Sequence, residues 1–317
     1  NILPLTMVLA DVNGLKLTND AFGHLAGDIL LKKAAHALQK ECGPDDMVFR
    51  IGGDEFMLVL PGVDESAADK IISDIKKTVE RKHVKNIVLS LSIGSDTRTQ
   101  ASQSIDEVIK KAEDAMYKRK LSESMSMRSR TIDLIMTTLF EKNKREMLHS
   151  ERVSVVGKNI AIAMGLPEGT VDLVALAGMM HDIGKIGIDE RILNSEGKLS
   201  AEERMEIQRH SEIGYRILSS SDEFVEISKY VLEHHERFDG AGYPRGLKGQ
   251  EITLGARIIA VADSFDAIVS YRTYRESLSV EDAAKEIIRC SGYQFDPEVV
   301  EAFVGKVLAG SGAGMER

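Results

Sequence analysis

Apolar runs alternate with segments of helical spacing along the first 121 residues. Leu5–Val12 (LTMVLADV) is an apolar run closed by an acid, the pattern of a buried strand. Residues 26–40 carry Ile29, Leu30, Ala34 and Leu38 at helical spacing. Residues 46–60 read as a hairpin, with MVFRI, a Gly52-Gly53 turn and then EFMLVL. Residues 66–81 are helical, 86–93 (NIVLSLSI) form a strand, and 105–120 are helical again. Strands separated by helices, plus one hairpin, predict a mixed sheet with helices packed on it. The texture changes after Leu121. SESMSMRSR (122–130) is small and polar, the composition of a joint. Residues 131–164 read as nearly continuous helix with Ile132, Leu134, Ile135 and Leu139 on one face. Further helices follow, punctuated by turns such as Gly240-Ala-Gly242-Tyr-Pro244. The expected fold class is α+β, a mixed-sheet domain (1–121), a linker and connecting helix (122–148), an all-α domain (149–311) and a flexible tail (312–317).

Composition narrows the classes. At 317 residues, 43% hydrophobic and 29% charged, the chain fits two ordinary globular domains. No run of about 18 apolar residues exists, so no membrane segment is expected. No secretory leader is expected either, and a cytoplasmic location follows. The first residue is Asn1, not Met, which predicts an excised piece of a longer protein. Cys42 and Cys290 lie far apart and read as free buried thiols. A net charge of −9 argues against DNA or RNA as a partner. It leaves room for a small anionic ligand, because local arginines and metals set the field in a pocket.

Two constellations carry chemistry. In the first, Asp11 closes one strand and Asp54 opens another after the glycine turn. If these strands are neighbours, both carboxylates meet at one sheet end, placed to share a hard cation. Asn19, Asp20, Gly23-His24 and Gly27-Asp28 lie between them on a loop and a helix start, where an amide and a carboxylate can read a base edge. The string from Asp11 through Asn13, Gly14, Lys16, Asn19-Asp20, Gly23-His24 and Gly27-Asp28, followed by Arg50-Ile-Gly-Gly-Asp54-Glu55-Phe56, resembles the GGDEF domain of diguanylate cyclases. The resemblance implies a nucleotidyl cyclase-like fold in which Asp11, the Val12 carbonyl and Asp54 hold magnesium. It implies that Asn19 and Asp28 read the guanine of GTP, and that Glu55 and Lys120 assist at the phosphates. The sequence departs from the family in four places. The opening helix with its Asn-Arg segment is missing before Asn1. Asn13 stands where a second acid is usual. No Gly-Arg-Asn follows Lys120, and the product-inhibition motif lacks its arginine, reading Gly43-Pro-Asp-Asp46.

In the second constellation, five of the eight histidines and two acids fall in one stretch: His149, His181-Asp182, His210, His234-His235 and Asp263. Imidazoles and carboxylates are ligands for iron, manganese or zinc. Adjacent residues on a helix diverge by about 100°, so His234 and His235 can reach different ions. Asp263, in the apolar run ARIIAVADSFDA, is expected to be an unpaired buried charge unless a cation meets it. The strings His149-Ser-Glu-Arg-Val153, His181-Asp-Ile-Gly-Lys185, His234-His-Glu-Arg-Phe-Asp-Gly-Ala-Gly242-Tyr243-Pro244, Asp263-Ser-Phe-Asp-Ala267 and Arg272-Thr-Tyr-Arg275 resemble the HD-GYP family. That family is a branch of the metal-dependent HD phosphohydrolases that cleaves cyclic di-GMP. The resemblance implies that His149, His181, Asp182, His210, His234, His235 and Asp263 ligate two divalent ions, iron or manganese. It offers Glu146 as the ligand of a third. It implies phosphate contacts from Lys185, Arg272 and Arg275 and a guanine pocket shaped by Tyr243, with Asp182 and Lys185 catalytic.

The expected function is a cyclic di-GMP phosphodiesterase, yielding pGpG or GMP, with a GTP-binding regulatory GGDEF-like domain. The alternatives are a bifunctional cyclase and phosphodiesterase, or a nucleotide-sensing scaffold without turnover. Expected partners are cyclic di-GMP, GTP, other GGDEF-domain proteins and a second copy paired through residues 131–148.

Overall fold

The computed structural model describes residues 2–85, 87–195, 197, 199–270 and 278–309, with only the main chain for 122–129 and 142. The expected tail, 312–317, lies outside the described residues. Two compact units divide the chain, Asn1–Leu134 and Ile135–Arg317. Among the described residues, no helix is long and apolar enough to cross a membrane.

The first unit runs β1 (Leu5–Val12), α1 (Leu15–Phe22), α2 (His24–Glu41), β2 (Met47–Arg50), β3 (Glu55–Pro61), α3 (Glu65–Glu80), β4 (His83–Val84), β5 (Ile87–Val88), β6 (Leu91–Arg98) and α4 (Ile105–Lys142). Strand β1 is buried almost throughout because it is central and covered on both faces. Val8, Ala10 and Val12 join Leu30 and Leu38 of α2 and Ile72 and Ile75 of α3 in one core. Leu9 turns the other way, onto Ala112 and Met116 of α4. The two-residue period of the strand therefore sorts alternate residues between two helical layers. Gly94 on β6 permits the approach of α4, since a Cβ there would lie 2.2 Å from the Ala112 carbonyl oxygen.

The main sheet has the order β2-β3-β1-β6. The expected mixed sheet is instead antiparallel at every pairing. Each helical crossover, β1 to β2 and β3 to β6, joins strands that run the same way but are separated by a third strand. Helical connections thus predict direction correctly and adjacency wrongly, as in split β-α-β arrangements. The strand expected over 86–93 is also interrupted. Ile87–Val88 pairs with His83–Val84, and Leu91 begins β6. The change of partner is fixed by Leu89 N–H donating to the Lys82 carbonyl and by Asn13, whose side chain bonds Ser90 and Ser92. Asn19 and Asp20 sit on α1, not in a loop.

The joint expected at 122–130 lies inside α4. Residues 105–142 contain neither Gly nor Pro, so nothing in them costs the helix its continuity. The helix expected over 131–164 breaks at Asn143. Its side chain caps α5 (Lys144–Ala163) by accepting from Glu146 N–H at 3.2 Å. Cys42 and Cys290 are free, but only half-buried.

The second unit continues with α6 (Glu168–Met180), a 3₁₀ turn over Ile183–Gly187, α7 (Glu190–Leu193), α8 (Ala201–Gln208), α9 (His210–Leu218), α10 (Val225–Glu233), α11 (Leu254–Val269), α12 (Val280–Arg289) and α13 (Pro297–Ala302). Its regular secondary structure, among the described residues, is helical apart from an isolated bridge between Ser291 and Phe295. Val153 and Ile160 of α5, Val174 of α6, Val231 of α10 and Ile258 of α11 are fully buried. Small residues set the spacing. A Cβ at Gly157 would touch Val174 and Ile258, and one at Gly178 would lie 2.9 Å from Ser154 Cα.

Candidate metal centre

The helix ends of the second unit aim histidines at one another. His181 ends α6, His234 ends α10, and His210 begins α9. Each directs Nδ1 to the carbonyl three residues earlier: His181 to Gly178 (2.8 Å), His210 to Ile207 (2.7 Å) and His234 to Val231 (2.6 Å). A carbonyl can only accept, so each Nδ1 carries hydrogen, and each ring, when neutral, offers its Nε2 lone pair. His149, in the second turn of α5, directs Nδ1 to Asp266 Oδ2 at 2.7 Å and leaves Nε2 facing inward.

These inward nitrogens and nearby acids form two candidate ligand groups, His149–His181–Asp182 and His210–His234–His235, each with its ligand atoms within 4.8 Å of one another. Asp182 lies between them. Its Oδ2 is 3.1 Å from His181 Nε2 and 3.9 Å from His149 Nε2, while its Oδ1 is 3.4 Å from His210 Nε2. Asp263 Oδ1 is 3.2 Å from His149 Nε2. Asp263 is therefore not the unpaired charge expected, because His149 meets it across the α5–α11 contact.

Chemistry tests whether a cation fits. The Nε2 atoms of His210 and His234 are 3.3 Å apart. With both Nδ1 atoms committed to carbonyls, two lone pairs face each other, a repulsion that a shared cation removes. Electrostatics divides the site further. Burial, then neighbouring imidazoles, bring His235 down to about 3 and His234 well below its ordinary value. Burial likewise lowers His210. These three rings are neutral, the form that binds metal. On the other side burial opposes protonation of His149, yet the Asp263 and Asp266 carboxylates outweigh it and lift the ring to about 10. His181 is raised by Asp182 against the same burial. Protons there offset two carboxylates, a task a divalent ion would take over.

Lys185 and Glu146 stand beside this cage. Lys185 Nζ donates to Glu146 Oε1 at 2.6 Å and to Asp182 Oδ2 at 2.7 Å. The expected third-ion ligand and the expected phosphate contact thus meet each other here. Tyr243 packs its ring on His235, with centroids 4.8 Å apart, and burial raises its phenol's pKa. Its loop is fastened by Glu236, whose carboxylate accepts from Arg245 N–H (2.6 Å) and Leu247 N–H (3.1 Å). Gly184 explains the glycine of the His-Asp-Ile-Gly-Lys string, since a Cβ would lie 1.9 Å from the His210 carbonyl oxygen. Arg272 and Arg275 lie outside the described residues. Asp266 and Arg152 carry no role in the sequence reading, yet they back His149. The available signal was spacing, because Arg152 follows His149 by three on α5 and Asp266 follows Asp263 by three on α11.

In the first unit β1 and β3 are neighbours, and Asp11 pairs in register with Glu55. Val12 N–H donates to the Asp54 carbonyl at 2.9 Å. Asp11 is buried; its Oδ2 accepts from Lys120 at 2.5 Å, and its Oδ1 has no partner among the described residues. Burial raises the Asp11 carboxyl, against the lowering effect of Lys120. Asn19 Oδ1 is buried without a partner too, facing Gly27, where a Cβ would lie 2.0 Å from it. Asp28 is exposed on α2. Arg50 staples the glycine turn through the Gly52 and Gly53 carbonyls.

Comparison with known proteins adds names to both units. The family model "HD domain" matches residues 133–299, and "Diguanylate cyclase, GGDEF domain" matches 3–126. A cyclic di-GMP phosphodiesterase of Thermotoga maritima is 48% identical over 158 residues, covering 49% of this chain and 43% of that protein. The cyclic di-GMP phosphodiesterase response regulator RpfG of Xanthomonas campestris is 42% identical, covering 49% and 41%. A 3'3'-cGAMP-specific phosphodiesterase of Vibrio cholerae is 37% identical, covering 48% and 30%. The chain spans less than half the length of these relatives.

Proposed function

The chain belongs to the HD domain family, and on that premise we propose that its helical unit is a metal-dependent phosphodiesterase of cyclic di-GMP. The observation that carries the reading is the pair of ligand groups joined by Asp182, with the lone pairs of His210 and His234 turned on each other 3.3 Å apart. The proposed ligands are His149, His181, Asp182 and Asp263 on one side and His210, His234 and His235 on the other, with Asp182 shared. Two divalent ions, iron or manganese, would supply the Lewis-acid charge that a phosphoester displacement requires.

The protein's own groups do the rest. Carbonyl-tied imidazoles hold their lone pairs inward, so little reorganisation accompanies the reaction. The Lys185 ammonium, borne by Asp182 and Glu146, supplies positive charge to a phosphoryl oxygen, and Arg272 and Arg275 are proposed to add more. Tyr243, braced on His235, forms a flat wall for a guanine. The test is to incubate manganese- or iron-loaded protein with cyclic di-GMP and, separately, 3'3'-cGAMP, and to resolve the products. Linear pGpG, then GMP, is expected from the first. No cleavage by metal-loaded protein would overturn the reading.

We propose further that the first unit is a regulatory site for GTP with magnesium. The supporting observation is that Asp11 Oδ1 and Asn19 Oδ1 are buried without partners, the state of groups awaiting a cation and a base. A cytoplasmic location, self-association through residues 131–148 and association with other GGDEF-domain proteins belong to the same proposal. Equilibrium binding of labelled GTP with and without magnesium tests it.

A further inference from the structure

Four inward-facing imidazoles are oriented in two different ways. His181, His210 and His234 each lean on a main-chain carbonyl of their own helix end. His149 leans on a carboxylate from another helix, Asp266 of α11. Asp266 is buried, and all its partners are donors. Oδ2 accepts from His149 Nδ1 at 2.7 Å, Arg152 Nη2 at 3.0 Å and Ser270 Oγ at 3.2 Å, while Oδ1 accepts from Arg152 Nε at 2.5 Å. Arg152 Nη2 also reaches Ser270 Oγ at 3.0 Å. The Arg152 side chain is 46% exposed, so its charge is partly met by water, whereas the carboxylate must be met by protein.

A carboxylate makes the imidazole it backs a stronger donor than a carbonyl does, and it fixes which ring nitrogen carries the proton. We propose that Asp266 is the positioning residue for His149, and that it makes the ion position at His149 unequal to the one at His210, His234 and His235. The inference rests on the metal-centre reading above. Beside the shared Asp182, the His149 side offers Asp263, His181 and a carboxylate-backed imidazole, whereas the other side offers three imidazoles. Ions should therefore leave in sequence, the His149-side ion depending on Asp266 and the other not. Loss of such a backing group typically costs about 10–100-fold in metal affinity.

The experiment compares wild type, Asp266→Leu, Asp266→Asn and Arg152→Gln by manganese titration, with metal content measured after dialysis against a chelator and thermal unfolding of the metal-free forms alongside. Asp266→Leu removes the acceptor at similar size, and Asp266→Asn keeps a weaker one should the leucine variant fail to fold. Arg152→Gln removes the inter-helix ion pair but leaves the carboxylate on His149. The expected result is two manganese per wild-type chain and one affinity lowered about 10–100-fold in Asp266→Leu, with a smaller drop in Asp266→Asn. Arg152→Gln should keep both ions. Two unchanged affinities in the folded Asp266 variants would overturn the proposal, as would equal metal loss in Arg152→Gln, which would reduce Asp266 to an α5–α11 strut. Wild type that binds no manganese would overturn the metal-centre reading itself, and this inference with it.

Discussion

Each unit lays a lysine on the buried aspartate at the heart of its candidate site. Lys120 meets Asp11 at 2.5 Å, and Lys185 meets Asp182 at 2.7 Å. What surrounds the pairs differs. Around Asp182, α5 and the ends of α6, α9 and α10 bring imidazoles, four of them with Nδ1 already bonded, and α11 brings Asp263, so the candidate ligands all come from the protein. Around Asp11 the neighbours are Asp54 and Glu55, one oxygen has no partner, and no imidazole is among its charged neighbours. Nitrogen-rich closed sets suit transition ions held by protein alone. An oxygen-only set at a sheet end suits magnesium, which keeps waters and shares its shell with phosphates. On the proposed reading, the Asp182 site is assembled by folding, whereas the Asp11 site would be finished by its ligand.

The contrast can be broken most forcefully at the aspartates. Asp182→Ala should remove at least one ion and bring cyclic di-GMP hydrolysis to background, measured by product chromatography beside metal analysis. Asp11→Ala should leave hydrolysis in place but weaken magnesium-dependent GTP binding; a charge-assisted contact contributes about 1.5–3 kcal/mol, or roughly ten- to a hundredfold. Hydrolysis lost in Asp11→Ala, or retained in metal-free Asp182→Ala, would erase the distinction. In the same Asp182→Ala background, accumulation of cyclic di-GMP from GTP would mark the first unit as a working cyclase.

Proton linkage sharpens the picture within the helical unit. His149 is raised from 6.5 to about 10, so an ion on its side must displace a proton at neutral pH. Its affinity should rise at least about tenfold per pH unit through neutrality and level off near pH 10. His235 lies near 3, so on its side no rise attributable to that ring is expected above about pH 4. In the metal-free protein the raised His149 pKa stabilises the fold fully below pH 6.5, and the contribution fades as pH climbs through 10. Thermal unfolding across pH 6–10 checks the sign.

The smallest contrast is steric. Gly184→Ala would drive a methyl into the His210 carbonyl, and overpacking of this kind costs about 1–3 kcal/mol. Gly53→Ala, in the glycine turn, meets nothing within 4 Å and should change stability by no more than about 0.5 kcal/mol. Denaturant midpoints of both variants measure the difference.

Much of this was legible in the residues. Strand β1 has the bounds its apolar run predicts, and His181, His210 and His234 converge because their strings sit at helix ends. Sheet adjacency was not legible, because a helical crossover fixes the direction of two strands and leaves open which third strand lies between them. The joint at 122–130 lies where the two family matches meet, but its small polar residues do not interrupt α4, which runs on to Lys142. The Lys185–Glu146 pair and the backing of His149 by Asp266 are tertiary contacts between residues 39 and 117 positions apart, which no local pattern encodes.

The carbonyl ties on three of the rings have a genetic consequence. The acceptors at Gly178, Ile207 and Val231 are main-chain atoms, which every amino acid supplies. A point mutation there keeps the acceptor atom, though at Gly178 any side chain would press on Ser154, so the aim of His210 and His234 above all is insulated from mutational drift. His149 has no such insulation. Its orientation depends on a side chain specified by a single codon, and sequence change could silence one ion position while leaving the other correctly built.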